Sequence, residues 1–351
     1  MIREGLTFDD VLLVPQHSTI ESRSQVDLSV KWGSLKYNHP IIPANMKTIT
    51  GLEMAREIKK SGGLAIVHRF MPIREQMDIF TELTHSVEDC KNVALSVGVK
   101  EEDKLTTTLF YNLGVRIICV DVAHGDSQLC AFMVAWIKAM YPDMFVIAGN
   151  VATGSGARRL WEAGANVVKV GVGPGSLCTT RIETGNGVPQ LTALMDVQET
   201  QQQLVNLWKA KDSKLYPDSF TQRSFPFISD GGIKSAGDIV KALCFADMVM
   251  IGNLFAGCEE TPSETRVIDG ISYKEYVGSS THKTSHIEGV AALVPNKGSY
   301  KHLLTRLLEG VCSGCTYQGA RNLDELKDNP TFIRITNAGL KESNPHDVIL
   351  K

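Results

Sequence analysis

Eight short runs of apolar and β-branched residues, separated by stretches of helical pattern, limit what this chain can fold into more than any other feature. They are PIIPAN from Pro40, LAIVH from Leu64, VALSVG from Val93, RIICVD from Arg116, FVIAGN from Phe145, VVKVGV from Val167, PFISDG from Pro226 and DMVMIG from Asp247. Between them lie LEMAREIKKSGG after Gly51, REQMDIFTELTH after Ile73, QLCAFMVAWIKAMYP after Ser127, GARRLWEAGA after Ser155 and SAGDIVKALCFA after Lys234. The runs have strand length and composition, and the intervening segments repeat their apolar residues at helical spacing. Eight alternating units predict a closed (β/α)8 TIM barrel, although an open doubly wound sheet produces the same alternation. The unusual residues favour the barrel because they fall directly after strands: Asn45-Met46, His68-Arg69, Asp121, Gly149-Asn150, the loop holding Cys178, Asp230-Gly231-Gly232 and Gly252-Asn253. Those strand ends form the catalytic face of such a barrel.

Composition narrows the function classes. With 351 residues, 43% hydrophobic and 21% charged, the chain is expected to form one catalytic domain over residues 1–351. A net charge of −3 argues against nucleic acid as a partner, since phosphate-backbone binding needs a basic excess. No stretch approaches the roughly 20 apolar residues that span a bilayer, so no membrane partner is expected. The N-terminal MIREGLTFDD is acidic where a secretory signal is basic and then apolar. Most of the eight cysteines sit in apolar runs, as Cys119 and Cys244 do, which predicts a cytoplasmic protein with reduced thiols. Lys209–Ser224 reads as a polar excursion. From Cys258 to Tyr300 the chain is rich in Gly, Ser, Thr and charge, and is expected to be a long, mobile functional loop.

Within that frame the segment Gly171–Thr180, GVGPGSLCTT, stands out. Gly171, Gly173 and Gly175 let the backbone turn sharply and bring amides or carbonyls against a ligand. Amides there suit a phosphate and carbonyls a cation. ISDGG and IGN, around Gly232 and Gly252, place more small residues after the seventh and eighth strands, where barrels bind phosphate. Cys178, flanked by Ser, Thr and Thr, is a poor core residue and a candidate nucleophile.

The longer segment GVGPGSLCTTRIETGNGVPQ resembles the active-site loop shared by inosine monophosphate dehydrogenase and guanosine monophosphate reductase. TFDDVLLVPQHS, PIIPANM, GLAIVHR, CVDVAHGDS, AGNVATG, ISDGGIKSAGDI, MIGNLFAGCEETPSE and FIRITNAGLKESNPHDV follow that family's blocks in order over nearly the whole chain. The resemblance implies a purine nucleotide substrate attacked at C2 by Cys178 to give a thioimidate. The dehydrogenase forms that adduct by passing hydride to NAD and then hydrolyses it. The reductase forms it by expelling ammonia from GMP and then accepts hydride from NADPH. HRFMPIREQMDIF runs on without the regulatory domains that the dehydrogenase usually carries there, and no Arg-Tyr pair of the dehydrogenase flap occurs between Tyr276 and Val294. Thr180 and Glu288 match the reductase's proton-handling residues, and Asn45 also agrees with its pattern. GMP reduction with NADPH is therefore the expected activity, with NAD-dependent IMP oxidation or a related reaction on another purine nucleotide as the alternative, ahead of a non-enzymatic nucleotide-binding scaffold.

Position-matching to the family assigns Asp230 to the ribose hydroxyls, Ser176, Gly232, Gly252, Asn253 and Tyr276 to the phosphate, and Met46 to the base. Asp121, Gly149 and Asn150 go to the nicotinamide side. The cysteine loop is expected over about 171–187 and a shortened flap over about 270–298. The tail LKESNPHDV resembles the dehydrogenase's, which lends ligands to a potassium site on the neighbouring subunit's cysteine loop. Gly173, Gly175 and Cys178 carbonyls with Glu342 and Ser343 are the corresponding candidates, although Asn344 replaces the usual His. The family implies a homotetramer. Lys47 stands where the family usually has Asp, reversing a charge beside the site. Cys312 and Cys315 read as packing residues at a helix end.

Overall fold

The computed structural model describes residues 2–86, 89–210, 225–278 and 290–345. Each of the eight runs contains one strand of a single parallel sheet. In chain order these barrel strands are Ile41–Pro43, Ala65–Val67, Val93–Val97, Ile117–Asp121, Phe145–Val151, Val167–Val170, Phe227–Asp230 and Met248–Ile251. Neighbours in the sheet are neighbours in sequence, and the eighth strand pairs with the first through Val249–Ile41, Met250–Ile42 and Ile251–Pro43. The first and second strands pack side by side and bring the ring to near closure. The outcome is the (β/α)8 barrel expected from the alternation.

Strand residues are buried almost throughout, because the barrel interior covers one face and the helices the other. Leu52–Lys60 buries Met54, Ala55 and Ile58, and Ala236–Leu243 buries Ile239, Val240 and Leu243. Each of these side chains larger than alanine contributes about 1.5–3 kcal/mol when fully removed from water. After the second strand the chain passes through residues 68–72 straight into the helix Ile73–Leu83, with no inserted domain. Beneath the barrel the hairpin Val30–Trp32/Leu35–Tyr37 closes the floor: Trp32 stacks on Phe145 at 6.0 Å and Tyr37 is wholly buried. Ligands therefore reach the barrel from the opposite end. Cys315 is buried on the inner face of the helix Tyr300–Tyr317.

The stretch after Cys258 departs from the expected long loop. It contains an antiparallel meander, Thr265–Ile268, Ile271–Val277 and Ala291–Pro295. Its first turn is Asp269-Gly270, with φ of 51° and 78°, the left-handed pair that a tight hairpin demands. The outer strand is exposed at every position, so no alternation of apolar and polar residues marked it. Residues 279–289, with Glu288, and most of the polar excursion after Lys209 lie outside the described residues.

Candidate active site

The strand ends meet around a buried ammonium. Lys169 lies in the sixth strand, 2% exposed, with Nζ 2.8 Å from Asp121 Oδ1 and 3.4 Å from Asp230 Oδ2. Asn45 Oδ1 accepts from the same Nζ at 3.4 Å. Asn150 Nδ2 donates to Asp230 Oδ2 at 2.8 Å and to the Gly171 carbonyl at 2.9 Å. Burial pushes the Asp121 carboxyl up, but the Lys169 ammonium, joined by Arg69 and Asn45, outweighs it and holds the group below the usual carboxylate value. Burial opposes the Lys169 charge too, and the two carboxylates overcome it, raising its pKa. Gly149 is glycine for a steric reason: a Cβ there would stand 2.6 Å from Lys169 Cβ.

The cysteine loop folds over this network. A Cβ at Gly171 would lie 2.0 Å from the Asp230 carbonyl, so the loop can leave the strand only through glycine. The Cys178 amide donates to the Gly175 carbonyl at 3.0 Å, and the Cys178 thiol lies 3.2 Å from Thr180 Oγ1. Arg181 fastens the loop to itself. Its stem passes between Gly173 and Gly187, where a Cβ on either would meet Arg181 Cγ at 2.6 Å. Its Nη2 donates to the carbonyls of Val188 at 2.6 Å and Val172 at 3.4 Å. Cys178, Thr180, Met46, Asp121, Asn150 and Asp230 share the wall of one cavity of about 260 Å³.

A second cavity of about 400 Å³ adjoins it, with Met46 and Asp230 common to both. Ser176, Gly232, Gly252, Asn253 and Tyr276 line it. Gly231 and Gly232 take φ of 93° and 79°, which turns the chain just past the seventh strand. A Cβ on Gly252 would stand 2.5 Å from Tyr276 Oη. Burial raises the Tyr276 pKa, so the phenol stays protonated and is available as a donor.

The structure thus brings Cys178, Thr180 and the residues that position-matching assigns to base, ribose and phosphate together in two adjoining cavities at one barrel end. Glu288 lies outside the described residues. Among the described residues no hydrogen bond joins Glu342 or Ser343 to the cysteine loop of the same chain; Ser343 Oγ donates instead to the Gly339 carbonyl at 2.8 Å. Lys47 lines the cavity of Cys178 and also a neighbouring groove that Glu75, Asp78 and Glu259 help to form. His68 is held neutral, its pKa lowered to about 4 by burial first and Lys47 second, and its Nδ1 accepts from the Phe70 amide. Arg69 Nε donates to the Asp121 carbonyl at 3.0 Å.

Sequence reasoning missed Lys169, Gln190 and Arg181. The signal for Lys169 was a single charge inside the otherwise apolar strand Val167–Val170. Gln190 is buried at a helix start, where its Nε2 donates to the Val170 carbonyl at 2.8 Å and Ser229 Oγ at 3.1 Å, tying the cysteine-loop strand to the seventh.

A barrel that gathers a cysteine loop, two paired carboxylates and a glycine-lined cradle at its strand ends is built as a nucleotide-handling enzyme. Comparison with known proteins makes the class specific. Residues 5–346 match the IMP dehydrogenase / GMP reductase domain. The IMP dehydrogenase of Borreliella burgdorferi is 34% identical over 416 aligned positions, covering 99% of this chain and 98% of that protein. The GMP reductases of Latilactobacillus sakei and Pediococcus pentosaceus are 38% and 37% identical over 329 positions, covering 91% of this chain and 93% of each. The chain belongs to the IMP dehydrogenase/GMP reductase family and is a purine nucleotide oxidoreductase of that family.

Proposed function

We propose that the protein carries out the reductive deamination of GMP to IMP, using NADPH. The observation that carries this reading is the Cys178–Thr180 pair, 3.2 Å apart, in a chain with no arginine between Tyr276 and Val294. The first supplies a nucleophile with a hydroxyl beside it. The second removes the pair that would activate water for hydrolysis.

The purine sits with its phosphate in the cradle of Ser176, Gly232, Gly252, Asn253 and Tyr276, its ribose hydroxyls donating to Asp230 and its base against Met46. Cys178 sulfur bonds to C2 and the 2-amino group leaves as ammonia. Its proton comes through the Thr180 hydroxyl, with Glu288 as the charged partner, since a hydroxyl both donates and accepts. When bound, the reduced nicotinamide supplies the hydride that C2 needs as the Cys178 thiolate departs. The wall beyond Cys178 fits that group: Asp121 offers a carboxylate acceptor, Arg69 a cation, and Val122 and Ala123 small apolar surface.

The tail LKESNPHDV favours the second reading, oxidation of IMP with NAD. Following the reduced-nicotinamide absorbance with each nucleotide and cofactor pair separates them. NADPH loss with GMP and no NADH gain with IMP is the expected result; the reverse pattern overturns it. Replacing Glu288 by Gln should lower deamination on the order of 10²–10⁴-fold, the usual worth of a general acid or base.

Glu342 and Ser343 are proposed to reach the Gly173, Gly175 and Cys178 carbonyls of a neighbouring subunit around potassium in a homotetramer. Light scattering that shows a monomer at micromolar concentration removes that arrangement. Activity unchanged on exchanging potassium for sodium removes the ion.

A further inference from the structure

The proposed chemistry leaves Lys169 without a task, although its ammonium lies at the centre of the site. Asp121 and Asp230 come from the fourth and seventh strands, and Nζ stands 2.8 and 3.4 Å from their carboxylate oxygens. Its other neighbours are weak partners: Asn45 Oδ1 at 3.4 Å, Met250 Sδ at 4.0 Å and the buried thiol of Cys119. A buried lysine without counter-ions is strongly unfavourable, and two carboxylates gathered at one point without a cation resist joint ionisation. The three groups therefore hold one another's charge.

We propose that Lys169 is a positioning residue that serves both halves of the active site: as the common counter-ion of Asp121 and Asp230 it keeps both as ionised acceptors. Asp230 then meets the nucleotide ribose and Asp121 the dinucleotide. The ligand assignment rests on the proposed function; the counter-ion role rests on the distances alone. The other groups around the pair are few. Asp230 also faces Asn150 Nδ2 and, at longer range, Tyr276. Asp121 is near Arg69, which bonds its backbone carbonyl, and near His68, which in turn faces Lys47. Among the described residues only Lys169 forms ion pairs with both carboxylates.

Three variants test the role: Lys169→Met, Lys169→Arg, and Lys169→Met combined with Asp121→Asn. The measurements are GMP binding and the dinucleotide Michaelis constant between about pH 6 and pH 9, with proton uptake of the ligand-free protein read from aspartate carboxyl carbon resonances. In Lys169→Met the pair should take up one proton at a pH where the wild type takes none. GMP affinity should fall roughly tenfold or more at the lower pH and recover as pH rises and the pair loses its proton, and the dinucleotide Michaelis constant should be raised and recover in parallel. Lys169→Arg should keep the flat profile. The double variant, with one carboxylate left, should recover pH-independent GMP binding while the dinucleotide constant stays high. A merely structural lysine would lower the melting temperature without adding a titration. Wild-type affinity and a flat profile in Lys169→Met overturn the proposal. If that variant does not fold, a new titration in Lys169→Arg or pH-dependent GMP binding in the double variant does so. Failure of the wild type to bind GMP would instead overturn the assignment of Asp230 to the ribose, and the proton uptake would still judge the counter-ion role.

Discussion

The Cys178 thiol lies 3.2 Å from Thr180 Oγ1, two residues along the same loop. In the proposed reaction one side chain forms the covalent bond and the other moves the proton. The two functions should separate on mutation. A 6-chloropurine nucleotide should label Cys178 alone in the wild type and in Thr180→Val, as read by mass spectrometry of peptides. Turnover in Thr180→Val should fall on the order of 10²–10⁴-fold. Labelling of another cysteine, or full turnover without the hydroxyl, would contradict the division of roles.

Gly252 and Tyr276 meet so closely that no side chain fits between them, since a Cβ would approach Tyr276 Oη to 2.5 Å. Gly252→Ala should push the phenol away from the proposed phosphate cradle, a strain of about 1–3 kcal/mol. GMP binding by calorimetry should weaken by roughly tenfold. Thermal stability should drop only slightly if the tyrosine swings clear, and an unchanged dissociation constant would place the phosphate elsewhere.

Arg181 holds the limbs of the cysteine loop together through Val172 and Val188. Arg181→Met keeps the stem between Gly173 and Gly187 and removes both bonds. Hydrogen bonds from a charged group contribute about 1.5–3 kcal/mol when buried, and partial exposure reduces that to about 1–2 here. Limited proteolysis within residues 171–188 should speed up about tenfold while the barrel's melting temperature moves little, because local opening is distinct from global unfolding. Equal cleavage rates would mean that the loop is held by other contacts.

His39 reports on the floor of the barrel. It is 2% exposed, its Nδ1 accepts from the Ile41 amide, and burial lowers its pKa from 6.5 to about 4. The folded value lies below the unfolded one, so the unfolded chain binds the proton first as pH falls. The associated stability is complete above about pH 6.5 and is lost as the pH drops toward about 4, on the order of 3 kcal/mol in all. His68, lowered to the same value, acts in the same direction. Urea unfolding of wild type and His39→Gln at about pH 7.5 and about pH 5 should show the smaller loss in the variant. Parallel losses would place the proton uptake on other groups.

How far the sequence carries this protein depends on which interaction is local. The eight strands were legible because each is a short apolar run next to residues that no core would choose, such as Asp121, Asn150 and Asp230. Cys178 was legible because glycines and hydroxyl residues around a thiol contradict packing. The hairpin at Asp269-Gly270 was equally local, yet it was passed over because its outer strand is exposed at every position and carries no alternation.

Sequence by itself determined the barrel, the family and the place of the glycine-rich cysteine loop, since strand propensity, helical periodicity and motif order are all written in neighbouring residues. Only the tertiary structure decided the electrostatics. Lys169, Asp121 and Asp230 are separated by 48 and 61 positions from lysine to each carboxylate, and nothing in the chain marks them as partners. The same is true of Gly252 against Tyr276 and of Gly171 against the Asp230 carbonyl. Barrel closure brings the ends of strands far apart in sequence to one axis, and there an ammonium lacking water finds its stability in two carboxylates rather than in solvent.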